Sequence, residues 1–169
     1  MIRPAKSSDA FAIVAIIEDR YPETRYAGKV AIDARLARQI MAQAVQRHGG
    51  TTEGSTFLMV SENGEEVIEA FVLGGLQRVY MIGDKLAASD YFLMGKKGCD
   101  PRAMQRLIDA YLEWAGSNPR VYEIGLSWSD AIPGTDAMNA VFERRGFELC
   151  GTTYRLLNPN FAHSQEVAS

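Results

Sequence analysis

Apolar residues along this chain fall first at helical spacing, then alternate, then return to helical spacing, and the changes mark its elements. Ile2–Pro4 reads as a short first strand. Ser8 and Asp9 open a helix carrying Ala10, Ile13, Val14 and Ile17 on one face, and Tyr21–Pro22 stops it. Ile32, Leu36, Ile40 and Ala44 recur every four residues and predict a second helix from near Asp33 to Gly49–Gly50, with Arg35, Arg38, Gln39 and Arg47 on its solvated faces. From Thr56 the period becomes two. TFLMVSE is a strand, Asn63–Gly64 is a hairpin turn, and EVIEAFVLGGLQRV is a longer strand in which Gly74–Gly75 signals a bulge or a bend. KLAASDYFLM continues the same meander.

The next helix has the plainest stripe, with Met104, Leu107, Ile108, Tyr111, Leu112 and Ala115 on one side. Asp100 suits its N-cap, Pro101 its first position and Gly116 its end. VYEIGLSW has few polar interruptions and predicts a strand buried on both faces. A last helix starts at Thr135 or Asp136, carries Met138, Val141, Phe142 and Arg145 on one side, and stops at Gly146; a strand pair or bent strand follows from Phe147 to Leu157. This order predicts an α/β fold with a mixed sheet: an antiparallel meander, then a parallel βαβ crossover of right-handed sense, with helices on both faces. A single domain over residues 1–157 and a polar tail over residues 158–169 complete the expectation.

The chain has 169 residues, enough to bury a core without a metal or a disulfide. Lys and Arg number 18 against 21 Asp and Glu, so a net charge of −3 argues against non-specific binding to nucleic acid or anionic membranes. No apolar run reaches the ~18–20 residues of a membrane helix, and MIRPAKSSDAF has no apolar segment of the kind a secretory leader carries. Cys99 and Cys150 stand alone and read as free thiols of a reducing, cytoplasmic setting. His48 and His163 are isolated too, so no zinc spacing exists; His48 reads as a C-terminal helix residue.

The start MIRPAKSSD and the late AVFERRGF, with the element order between them, resemble the GCN5-related N-acetyltransferase (GNAT) family. LEWA, the long strand and the D-x-x-P-G-T turn further resemble its bacteriophage-encoded members. The resemblance implies an acyl-CoA-dependent enzyme that acetylates an amine of a small molecule or a protein, with acetyl-CoA lying where the fourth and fifth strands part. It places the fourth strand at Ser89–Met94, with the backbone of Leu93 or Met94 polarising the thioester carbonyl. The diphosphate loop falls on Gly95–Ala103, where Lys96, Lys97, Gly98 and Arg102 are the candidate contacts. Asp90 on the fourth strand and Glu69 on the third are the candidate bases, since acidic residues are uncommon in strands. Phe142 stands where the family often has its proton-donating tyrosine, leaving Tyr154 as the candidate donor.

Two features depart from the family pattern. GKKGCDPRAM does not complete the family's Gly-rich signature in any register, and Asp100 with Pro101 would cap the helix whose N–H groups should hold phosphate. A second reading follows: a catalytically degenerate member serving as a structural or interaction module, such as a component of a phage particle, with an assembly partner or a second copy. Acceptor contacts would come from Tyr21–Lys29, Tyr80–Ala88 and Ser129–Thr135.

Overall fold

The computed structural model describes residues 1–151 and 153–158. The expected tail beyond residue 158, His163 included, lies outside the described residues. Two compact units emerge, Met1–Met138 and a second from Asn139 on.

The first unit is built on one five-stranded sheet in the order β1 (Ile2–Pro4), β2 (Thr56–Glu62), β3 (Ile68–Arg78), β4 (Leu86–Gly95), β5 (Val121–Gly125). The first four strands pair antiparallel, and β4 with β5 pairs parallel. A parallel pair needs a crossover, and α3 (Pro101–Gly116) supplies it. Strand alternation sends Leu58, Val60, Phe71 and Leu73 to one face, where they pack on Ile13, Val14 and Ile16 of α1 (Ala10–Arg20) and Met41 and Ala44 of α2 (Ala34–Gln46). The other face, with Phe57, Val72, Leu76 and Ala88, packs on Leu107, Tyr111 and Ala115 of α3. The expected fold class, a mixed sheet with helices on both faces, is the one observed.

Local chemistry fixes the helix starts. The Asp33 carboxylate accepts the Leu36 N–H at 2.8 Å, and the Asp100 carboxylate accepts the Arg102 N–H at 2.9 Å. Arg3 bonds Asp9 at 2.6 Å and Glu62 at 2.9 Å, tying the first strand to the entry of α1 and the end of β2. The Arg-Pro-Ala start is therefore structural.

Four expectations are corrected. The buried stripe of α2 is Ala37, Met41 and Ala44, while Leu36 and Ile40 face solvent. Strand β5 is not covered on both faces: Tyr122 is 75% exposed and Glu123 is exposed too. No strand forms over residues 147–151 or 153–157, where Leu149, Tyr154 and Leu156 are exposed. His48 lies beyond the end of α2, where a cation would meet the helix dipole, and its Nδ1 instead accepts the Leu58 N–H at 3.0 Å. Its ring stacks on Phe57, which stacks on Trp114.

That position makes His48 a source of pH dependence. Burial holds its pKa below the ordinary 6.5, so the unfolded chain takes up the extra proton and stability rises with pH. The contribution is complete above 6.5 and is lost as pH falls from there through the lower folded value. Thermal melts should therefore drop as pH falls below about 7, and His48→Asn, which keeps an acceptor for Leu58 but cannot titrate, should flatten the drop. Equal slopes in both proteins would assign the pH dependence to other groups.

Candidate functional site

The site arises from how β4 and β5 separate. Their ladder runs from Leu86 opposite Val121 to Ser89 opposite Gly125 and stops. On its other edge β4 stays paired with β3, but the register slips between Leu73, opposite Phe92, and Gly74, opposite Asp90. Tyr91 is the extra residue of this bulge. A bulge increases the local twist of its strand, and here it falls where the parallel partner departs. The Gly74–Gly75 signal thus corresponds to a bulge, carried by the facing strand.

Both glycines leave room for rings. A Cβ on Gly74 would stand 2.6 Å from Cε2 of Tyr111, and one on Gly75 would stand 2.9 Å from the Tyr91 ring. Tyr111 is fully buried, and its hydroxyl donates to the Gly125 carbonyl at 3.1 Å, at the last paired position of β5. Across the opening, Asp90 Oδ1 accepts the Ser127 N–H at 2.8 Å and the Ser127 hydroxyl at 3.0 Å. Asp90, Ser127 and Tyr111 therefore meet at the fork. Burial pushes the Asp90 carboxyl above the usual carboxylate range, while the two Ser127 bonds pull it down. Burial also keeps the Tyr111 hydroxyl protonated far above its ordinary value, and the nearby Asp90 and Tyr91 charges add to this. A half-buried carboxylate with a raised pKa is a candidate proton acceptor.

The other predicted residues fall in different places. Glu69 faces Lys96, whose N–H it accepts through its backbone at 2.7 Å, and its side chain is bonded by Ser61. Five positions of β3 separate it from Gly74, about 17 Å at ~3.4 Å per residue, so Glu69 does not share the fork with Asp90. The same Lys96 bond sets the alternation of β4: Met94 turns its N–H to β3, and Leu93 turns its N–H toward the opening. Of the two backbone candidates, Leu93 has the useful direction. Tyr154 is 94% exposed and on no strand, and Phe142 is buried with its ring 5.9 Å from Phe147.

Lys96, Lys97 and Gly98 form the turn before α3, closed by the Cys99 N–H on the Lys96 carbonyl, with Gly98 at φ +75°. Arg102 is exposed on the first turn of α3, and its N–H is taken by Asp100. Pro101 has no N–H, and the Ala103 N–H bonds the Asp100 carbonyl at 2.8 Å. Glu62, Glu69, Asp100 and Arg106 line a concavity of about 430 Å³ beside this helix start. Three carboxylates and a capped helix do not fit a diphosphate. Sequence reasoning singled out Asp90 as an acid in a strand; Tyr111, which the fold brings to the same fork, reads in the sequence as one more member of an apolar stripe.

Comparison with known proteins agrees on the fold. An acetyltransferase from Trypanosoma brucei superposes with a TM-score of 0.64 at 14% identity, over 94% of this chain and 99% of that one. A glucosamine-6-phosphate N-acetyltransferase from Arabidopsis thaliana gives 0.66 at 9% identity, over 93% and 97%. A ribosomal-protein-alanine N-acetyltransferase from Brucella melitensis biovar Abortus 2308 gives 0.62 at 12%, over 94% and 99%. The chain thus has the GCN5-related N-acetyltransferase fold that its end motifs imply. No protein-family model matches the sequence, and no curated protein sequence matches it.

Proposed function

We propose that this chain is an acyl-CoA-dependent N-acyltransferase that moves an acetyl group to the amine of a small molecule or a protein. One observation carries the reading: β4 and β5 part at Ser89 and Gly125, and a half-buried carboxylate, Asp90, stands at the fork. Acetyl-CoA would supply the activated acyl group. Leu93 turns a backbone N–H into the opening, where it can donate to a carbonyl. Asp90 takes the proton of the attacking ammonium, and Ser127 orients the carboxylate that receives it.

A second reading is favoured by the start of α3, where Asp100 and Pro101 occupy the place of an anion. There the fold persists without cofactor as an interaction module. Heating with and without acetyl-CoA separates the two. A ligand at a hundredfold excess over Kd adds about 2.7 kcal/mol, which is roughly 5–10 °C for a chain of this size. The expected result is such a shift, with slowed amide exchange over residues 90–95 and thiol release when amines are added. Neither a shift nor exchange protection at millimolar acetyl-CoA would establish the module reading.

A further inference from the structure

The turn between β3 and β4 holds its apolar residues out. Tyr80, Met81 and Ile82 follow one another there and are 92%, 82% and 88% exposed. Single apolar side chains on a surface are ordinary, but three in succession at one tip form the kind of patch that marks an interaction site. The backbone is strained as well. Tyr80 has φ +52° and Met81 φ +66°, in the left-handed region that disfavours any residue with a Cβ. Such strain persists only where the surroundings enforce it. Here the Val79 N–H bonds the Lys85 carbonyl at 3.0 Å, and the Gly83 N–H bonds the Val79 carbonyl at 2.8 Å. Arg78 Nη1 donates to the Gly83 carbonyl at 3.0 Å, while its Nε is held by Glu53 at 2.8 Å. The tip is a braced projection whose side chains do not fold back.

The charges beside the tip say what it fits. Asp84 and Lys85 follow it, both exposed, with Lys85 Nζ 3.8 Å from Asp84 Oδ2. An exposed pair this long contributes little within one chain, so both groups are open to a partner. Arg78 and Glu53, at the base of the turn, are also matched in sign. An anionic lipid surface needs a basic rim, and a strongly charged protein partner needs a rim of one sign. A rim with one acid beside one base is complementary to its own copy. Across a twofold axis each Asp84 can meet the partner subunit's Lys85.

We propose that this tip is a self-association surface on which two copies of the chain meet about a twofold axis. Tyr80, Met81 and Ile82 of both copies pack together, and Asp84 and Lys85 pair crosswise around them. Three side chains from each copy cover less than the ~800 Å² per partner of a stable complex, so the association is weak and reversible. It uses no residue of the fork and does not depend on the acyltransferase reading.

Sedimentation equilibrium of the full chain from about 10 µM to about 1 mM tests this. The average mass should climb from that of one chain toward that of two. Met81→Asp should hold it at one chain, whereas Phe11→Ser, which removes another exposed apolar side chain from α1, should change nothing. Asp84→Lys and Lys85→Asp should each weaken self-association at least about tenfold, because like charges then face each other. An equimolar mixture of those two variants should associate again. A single-chain mass across the whole range overturns the proposal, as does association that Met81→Asp leaves intact. Association lost in Met81→Asp without recovery in the mixture overturns the twofold pairing. A chain that stays single yet binds phosphatidylcholine vesicles, and loses that binding in Met81→Asp, would overturn self-association in favour of a lipid surface.

Discussion

Asp90→Asn should lower kcat for acyl transfer by at least about 100-fold, the low end of what a positioned base contributes, while the protein melts close to the wild-type temperature. Asparagine keeps an oxygen for the two Ser127 bonds at 2.8 and 3.0 Å, so the clasp across the fork survives and only the proton acceptor is lost. Ser127→Ala is the discriminating companion. The Ser127 bonds lower a carboxyl pKa that burial has raised, so deleting the hydroxyl should raise it further. The acid limb of the kcat/KM profile should then move to higher pH, with a much smaller rate loss at the plateau. Full activity in Asp90→Asn would mean that the amine loses its proton by another route. An unmoved acid limb in Ser127→Ala would mean that the limb belongs to another group.

What the sequence disclosed depended on how local each cause was. The α3 helix was legible because its cap, its Pro101 and its stripe lie within 16 consecutive residues. The stripe of α2 was misread for a related reason. Ala44 of the expected stripe is buried. Leu36 and Ile40, though, carry more hydrophobic signal than Ala37, yet a small residue is what lets α2 lie close to its neighbours. The alternation from Phe147 to Leu157 shows β-propensity only, and a strand needs a ladder to complete it. At the fork, Asp90 stood out as an acid in a strand. Ser127 is 37 positions further on, and nothing local marks it as the partner. Tyr111 differs from its stripe neighbours by one hydroxyl, whose acceptor is fixed only once β5 is in place.

The two glycines of β3 should separate this long-range packing from local preference. Replacing glycine by alanine within a strand ought to gain roughly 0.5–1 kcal/mol from the backbone alone. At Gly74 the added Cβ would meet Tyr111 Cε2 at 2.6 Å and the Ser89 carbonyl at 3.1 Å. Tyr111 is fully buried and its hydroxyl is tied to Gly125, so the ring cannot retreat without pulling on the end of β5. Overpacking of this kind costs about 1–3 kcal/mol, and the lack of free volume puts Gly74→Ala near the upper end, a fall of roughly 4–12 °C in Tm. At Gly75 the new Cβ would meet the Tyr91 ring at 2.9 Å, a similar clash on paper. Tyr91 is 53% exposed, however, and can swing into solvent, so Gly75→Ala should cost under about 1 kcal/mol. The pair is read by thermal melts of both variants and of Gly74→Ala combined with Tyr111→Leu. The double variant should recover part of the loss, because removing the ring frees the space the new methyl needs. Equal costs at the two glycines, or no recovery in the double variant, would show that Tyr111 does not wedge the fork as its contacts indicate.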